Sequence, residues 1–388
     1  ELNYDNNPYR GLRSFDEEHS QLFFGRTRIV DELTAIVSAN PFTAVLGASG
    51  TGTSSVVKAG LPPHLRSSME CDWHILPIIR PGKSPLGALA KIVLPGENAD
   101  GVAERVAQLW SDDDALAERI TAWAASQPEG SRLLLVVDQA EEVVTFCGDT
   151  WERERFMNIL TSALRPQPDR FRLVVTMRSD FEPQIADYSL SSIWASSRYV
   201  VPPMSTDEIQ EAIEGPASVR VLYFRTADLD DRLVNEVVHT PGAMPLLSFT
   251  LSELYIRYIR RRGEDRCLTT EDYEQLGGVV GSLRNRATEV YEKLDSAHQT
   301  TMERIMLRMV AGQGGELARR PIPKTELVYP NSDENDRVIM ILIRLTEARL
   351  MVEGNETDGE PFVEPAHDAL VSSWDKLSTR PQIIAHNE

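Results

Sequence analysis

The sequence predicts an α/β protein: a parallel sheet with crossover helices, followed by an all-α helical domain and a winged-helix domain. Three observations predict it. From about 20 to 200, β-rich apolar runs alternate with segments of helical periodicity. From about 204 to 300 the strand signals vanish and helical periodicity remains. After about 300, helical stretches precede two strand-like runs around a Gly/Asn/Asp turn. The expected domains are 1–203, 204–300 and 301–388, in keeping with about 150 residues per domain.

In the first domain the expected strands are "FTAVLGAS", "HILPIIRPG", "LLLVVDQAEE" and "FRLVVTMRSD", each followed by a helical segment. In the second, "STDEIQEAIEGPA", "DDRLVNEVVHT", "MPLLSFTLSELYIRYIRRR" and "LTTEDYEQLGGVVGSLRNRATEVYEKL" read as successive helices. Ser205 and Thr269 or Thr270 are N-caps ahead of acidic first turns. The basic stretch "YIRRRGEDR" reads as a helix C-terminus complementing the dipole. In the third, "TTMERIMLRMVA", "PKTELV" and "DENDRVIMILIRLTEARLM" are expected helices, "MVEGNETDGEPFVEPAH" two strands, and "DALVSSWDKL" a last helix.

Hydrophobic residues at 41% and charged residues at 26% are those of an ordinary soluble globular chain. No run approaches the roughly 18 to 20 apolar residues that a membrane-spanning helix needs. The opening "ELNYDNNPYR" has neither an initiator Met nor an apolar leader, and reads as part of something longer. A formal charge of −19 argues against broad nucleic-acid binding, because phosphate backbones require cationic surface. Cys71, Cys147 and Cys267 are far apart and lack metal spacing, so reduced thiols in a cytoplasmic protein are expected.

Residues 47–60, "GASGTGTSSVVKAG", follow the strand "FTAVL" and open a helix. They fit the phosphate-binding loop G-x-x-x-x-G-K-[ST] at every place but one. Gly47, Gly50, Thr51, Gly52, Ser54 and Ser55 fall into place, while Thr53 stands where lysine belongs. In such a loop, backbone N–H groups and the helix N-terminus cradle a polyphosphate. Ser54 is positioned to ligate Mg²⁺ through its hydroxyl. The sheet is therefore expected to be that of a P-loop NTPase.

A Walker B strand follows. "LLLVVDQAEE" puts Asp138 at the carboxyl end of a hydrophobic strand, where parallel sheets present ligand-facing groups. Asp138 would hold Mg²⁺ through water, and Glu141 or Glu142 would polarise an attacking water. Arg178, at the end of "LVVTMR", either senses a γ-phosphate or pairs with Asp180.

The ordered blocks "NPYRGLRSFDEEHSQLFFGR", "SSVVKAGLPPHLR", "LLLVVDQAEEVVT", "VVTMRSDF", "PLLSFTLSELY" and "VEPAHDALVSSWDKL" resemble the novel STAND NTPases, signal-transducing P-loop ATPases related to apoptotic and innate-immunity switches. The resemblance covers almost the whole chain. It implies ADP held in a closed resting state, and ATP exchange that opens the protein and drives homo-oligomerisation. It also implies effector and sensor domains outside this segment. Phe24, Gly25 and Arg26 of "FFGR" resemble the segment closing over base and ribose. Pro245 in "TPGAMPLL" would pack near the adenine, and its fixed φ also suits a helix start. His367 in "AHD" would contact the ADP β-phosphate; without the resemblance it reads as a cap or core histidine.

A charged hydrogen bond to phosphate contributes about 1.5–3 kcal/mol, so losing the lysine weakens binding by about 10- to 150-fold without removing the cradle. Transition-state stabilisation suffers more, by roughly 10² to 10³ in rate. Lys58, five positions after Thr53, is expected to turn away from the loop. The resemblance thus implies an ATP/ADP-binding switch in bacterial defence or programmed cell death, and Thr53 predicts that its hydrolysis is weak. The alternatives are a nucleotide-independent scaffold and a winged-helix transcription regulator.

Overall fold

The computed structural model describes residues 2–68, 71–97, 101–225, 227–240, 242–261, 265–313, 316–355, 361–367, 370–371 and 374–378. The chain forms two compact units, Ser14–Glu208 on one hand, and Glu1–Arg13 with Ile209–Glu388 on the other.

Ser14–Glu208 is built on a five-stranded parallel sheet. Its strands are β1 (Phe42–Gly47), β2 (Trp73–Ile75), β3 (Arg132–Val137), β4 (Phe171–Arg178) and β5 (Arg198–Val200), in the order β2-β3-β4-β1-β5. All four pairings are parallel. The central strands are buried almost throughout because both faces are covered, with Thr43, Arg172 and Thr176 the buried polar residues among them. Phe42, Ala44 and Leu46 of β1, Leu133, Leu135 and Val137 of β3, and Leu173, Val175 and Met177 of β4 pack on one face, with the helices Ala115–Ser126 and Thr150–Ala163. Val45, Leu134, Val136 and Val174 point to the other, against the helix Thr27–Ala39 and Val56, Val57, Leu61 and Leu65. This alternation is the period of two that a strand imposes. The register sets Gly47 opposite Arg178, so the carboxyl ends of β1 and β4 finish level.

β1, β3 and β4 lie within one residue of the runs that the sequence predicted. β2 shares only His74 and Ile75 with "HILPIIRPG", of which Ile79 adds a single isolated bridge to Val137. β5, the fifth, was not anticipated: Arg198 and Val200 are exposed and only three residues pair, so no apolar run announces it.

The other unit contains the predicted helices Thr206–Val219 (from Ile209 onward), Ala227–Val238, Met244–Arg261, Thr270–Leu276 and Gly278–Glu292. Thr269 is the N-cap of its helix, accepting from the Asp272 backbone N–H at 3.2 Å. Ser205 caps Thr206–Val219, accepting from the Glu208 N–H at 3.2 Å. The expectation that strands are absent from 204–300 is corrected: β6 (Tyr223–Phe224) and β7 (Cys267–Leu268) form a short parallel pair. Two residues per strand are too few to leave a periodic trace in sequence.

Beyond residue 300 lie the helix Ser296–Arg308, an antiparallel hairpin β8 (Val310–Gln313) and β9 (Glu316–Arg319), then β10 (Ile322–Pro323), the helix Ser332–Glu347, β11 (Met351–Asn355) and β12 (Pro361–Pro365). β11 and β12 are the predicted antiparallel pair, and β10 extends them into the order β10-β12-β11. "PKTELV" forms a single 3₁₀ turn, Lys324–Leu327. The expected last helix is interrupted at Trp374, with Asp375–Ser378 helical after it. Trp374 is 1% exposed, stacked edge-on against Tyr291 with ring centres 5.7 Å apart.

The N-terminal segment docks on this unit. Tyr9 donates to the Ile213 carbonyl at 2.7 Å, Asn7 to Ser252 at 3.0 Å, and Tyr255 to Asn6 at 2.6 Å. All three thiols are free: Cys147 is buried, while Cys71 and Cys267 are half-buried, one in each unit. Among the described residues no helix is long and apolar enough to cross a membrane.

Candidate functional site: a phosphate loop and its acidic strand

The loop after β1 turns through Gly50 and Gly52, whose φ angles of 81° and 85° lie in the left-handed region open to glycine. Gly52 is the N-cap of the helical segment that starts at Thr53, and Val56 N–H bonds back to the Gly52 carbonyl at 3.0 Å. Gly47 floors the loop: a Cβ there would stand 2.3 Å from the Thr53 hydroxyl and 2.4 Å from that of Thr51. Those hydroxyls lie 3.1 Å apart, and Thr51 also donates to the Ala48 carbonyl at 2.9 Å. Ser55 faces elsewhere, accepting from the Phe15 backbone N–H at 3.1 Å.

Asp138, one residue past β3, is fully buried. Its Oδ1 accepts from Ser54 at 2.8 Å and from Thr176 of β4 at 2.7 Å. Its Oδ2 has no aligned hydrogen-bond donor but faces the Lys58 ammonium at 3.0 Å, an ion pair. Burial alone would raise this carboxyl; Lys58, Thr176, Ser54 and Arg80 together pull it below the usual range. A hydroxyl and a carboxylate hydrogen-bonded to each other at a phosphate loop suit Mg²⁺, which takes few protein oxygens and shares the rest with phosphate and water. Among the described residues no cluster of three or more His, Cys, Asp or Glu would hold a metal unaided.

The Lys58 contact corrects the sequence expectation that this side chain turns away. Counted from Ser54 rather than Thr53, Lys58 is four residues on and shares its face. A helical side chain leans toward the N-terminus of its helix, which carries the ammonium back toward Ser54 and Asp138. The segment Val56–Gly60 is also a π turn, locally wider than an α-helix.

Glu141 and Glu142 have different surroundings. Burial first, then the charges of Glu142 and Asp138, push the Glu141 carboxyl up to about 7, and Glu141 accepts from the Arg178 backbone N–H at 3.3 Å. Glu142, 4% exposed, is ion-paired with Arg80 and accepts from the Gly82 N–H at 3.1 Å. Arg178 makes the pair with Asp180 that the sequence left open, with bonds of 3.1 and 2.7 Å, and lies over the Phe181 ring.

Arg26 is 2% exposed, donating to the Thr51 carbonyl of the loop at 2.8 Å and pairing with Glu208 at 3.4 Å. Gly25, at φ 79°, lies so close to the Glu208 carbonyl that a Cβ would stand 2.1 Å from it. Phe24 is half-buried. In the other unit, Pro245 is the second residue of the helix Met244–Arg261, where its fixed φ is favourable. His367 follows β12, and its carbonyl accepts from Leu370 at 3.0 Å; Asp368 of the same motif lies outside the described residues.

Sequence reasoning missed Arg80 and Gln139. Gln139 has φ 58°, its N–H donates to Thr176 at 2.9 Å, and its side chain accepts from Arg80 at 2.6 Å. Such a left-handed non-glycine residue costs about 1–3 kcal/mol and is found where function fixes the backbone. The signal in sequence is their place just past apolar strand runs. Beside them a cavity of about 400 Å³ is lined by Asp16, Glu17, Lys58, Arg66 and Arg80, among others.

A profile of the family described as Novel STAND NTPase 1 matches residues 8–383. A comparison with curated proteins found no match. Solved structures similar in overall trace include the Aeropyrum pernix ORC1 protein in complex with DNA, at 16% identity and TM-score 0.48 over 94% of this chain and 95% of that one. A Walker-type ATPase of Pyrococcus abyssi matches at 14% identity and TM-score 0.43, covering 92% and 96%. Cdc6p from Pyrobaculum aerophilum matches at 15% and 0.44, covering 89% and 90%.

Proposed function

This chain belongs to the novel STAND NTPase 1 family, and from that premise we propose that it is an adenine-nucleotide switch whose bound phosphate governs the activity of attached domains. Nucleotide binding is the activity that membership of an NTPase family carries. The observation that best supports a working site is the 2.8 Å hydrogen bond from Ser54 to Asp138, which joins the loop after β1 to the acidic end of β3. When bound, Mg²⁺ would be held by these two residues and would neutralise phosphate charge.

In this reading the main chain of residues 47–54 cradles the phosphates of ADP or ATP, and Phe24, Pro245 and His367 contribute to base and β-phosphate recognition. Glu141 is the better candidate than Glu142 for orienting water, because Glu142 is tied to Arg80 and Gly82. With Thr53 in the lysine position, the resting state is long-lived and hydrolysis weak. The region after residue 301 acts as a winged-helix domain, and nucleotide exchange drives homo-oligomerisation and effector activation in the cytoplasm, in bacterial defence or cell death.

Thermal unfolding in ADP and ATP tests the reading. A ligand at about 100 times its Kd stabilises by about 2.7 kcal/mol, a clear rise in Tm. If neither nucleotide raised Tm at saturating concentration, the nucleotide-independent scaffold would replace this proposal.

A further inference from the structure

We propose that Lys58 is the resident cation of the phosphate site, neutralising Asp138 so that the cradle accepts a nucleoside diphosphate without a divalent metal. The inference rests on the nucleotide-binding reading above and adds to it which residue balances the charge.

The lysine that ordinarily meets the phosphates is replaced by Thr53, whose hydroxyl is engaged with that of Thr51 at 3.1 Å. Asp138 nevertheless remains a buried carboxylate, and a diphosphate arriving beside it adds negative charge where water cannot screen it. Three arginines near this end of the sheet have partners of their own: Arg26 the Thr51 carbonyl and Glu208, Arg80 Glu142 and Gln139, Arg178 Asp180. Lys58 instead points its ammonium at Asp138 Oδ2, 3.0 Å away, while Oδ1 is held by Ser54 and Thr176. The Lys58 side chain is 17% exposed, so this ion pair is shielded from water and salt weakens it little.

The carboxylate is thus already compensated before any ligand arrives. A lysine is suited to this, since a compact ammonium on a flexible four-carbon stem can follow the charge as phosphate enters.

The test is ADP affinity measured by calorimetry on the whole chain, once in EDTA and once in excess Mg²⁺. The wild type should bind in both buffers with affinities within about threefold of each other. Lys58→Met should lose about 10- to 150-fold in EDTA, the range for one charged contact, and recover most of it in Mg²⁺. Lys58→Arg should keep the EDTA affinity. If Lys58→Met does not fold, Asp138→Asn gives an independent answer: with the carboxylate gone and the ammonium retained, EDTA affinity should equal or exceed that of the wild type. A wild type that binds only with Mg²⁺, a Lys58→Met protein unchanged in EDTA, or an Asp138→Asn protein tenfold weaker there would each overturn the proposal while leaving nucleotide binding intact. Absence of ADP binding in both buffers would instead remove the nucleotide reading, and this inference with it.

Discussion

The guanidinium of Arg26 donates to the Thr51 carbonyl at 2.8 Å, fixing the tip of the phosphate loop to a buried charge from outside it. The same side chain pairs with Glu208, which also accepts from the Ser205 N–H at 3.1 Å. Arg26→Ala should cost about 2–4 kcal/mol, from a lost charged hydrogen bond and a partly shielded carboxylate left short of its partner. Denaturant unfolding measures the loss, and ADP titration of the folded fraction should show weakened binding. Unchanged stability would mean that the brace is dispensable.

Gly25 tests the same junction sterically. Alanine there would set a Cβ 2.1 Å from the Glu208 carbonyl and adopt a left-handed φ of 79°. Backbone rather than a flexible side chain is the obstacle, so Gly25→Ala should destabilise by about 3 kcal/mol or more, read as a fall in Tm.

Glu141 sets a pH dependence. Its carboxyl titrates near 4.5 when unfolded and is pushed up to about 7 when folded, chiefly by burial. The folded state therefore holds the proton more tightly, and the stability that this contributes is present below about 4.5 and lost as pH rises through about 7. Glu141→Gln keeps the shape and has no proton to lose. Its stability advantage over the wild type should be small at acid pH and grow to ~3 kcal/mol in mild alkali. Denaturant melts across that range check this, and an offset independent of pH would refute it.

Thr53→Lys should restore the missing ammonium, raising ADP affinity about 10- to 150-fold and making phosphate release from ATP measurable above the wild type. Equal release from the two proteins would show that the lysine position does not limit turnover.

Trp374 is a buried aromatic, 1% exposed, that packs on Tyr291 and donates to Thr288 at 3.2 Å. Trp374→Ala should cost about 3–5 kcal/mol, measured by chemical unfolding.

What the sequence disclosed follows from how each feature is encoded. β1, β3 and β4 are buried on both faces, so each carries an uninterrupted apolar stretch, "AVL", "LLLVV" and "LVV", that marks it in sequence. β5 exposes alternate residues over three positions, and β6 and β7 have two residues each, which no pattern window resolves. Gly47 and Ser54 stand out in sequence because a local motif fixes their spacing, and Asp138 because it ends an apolar run; the structure brings Ser54 and Asp138 to 2.8 Å. Lys58 was misjudged because its orientation depends on Ser54, four residues earlier, and on a π turn that no residue type announces. Arg80 and Gln139 carry no motif; their roles arise only where β2, β3 and β4 lie side by side. Arg26, expected over the base and ribose, is engaged with the loop's own carbonyl.

The distribution of thiols has a practical consequence. Cys147 is 1% exposed and burial raises its thiol, so it carries little of the reactive thiolate. Cys71 and Cys267, one per compact unit and each half-buried, remain as native attachment points for a pair of spin labels or fluorophores. Distance distributions between them, recorded with and without ADP or ATP, would test whether nucleotide alters the spacing of these two positions, with no substitution needed.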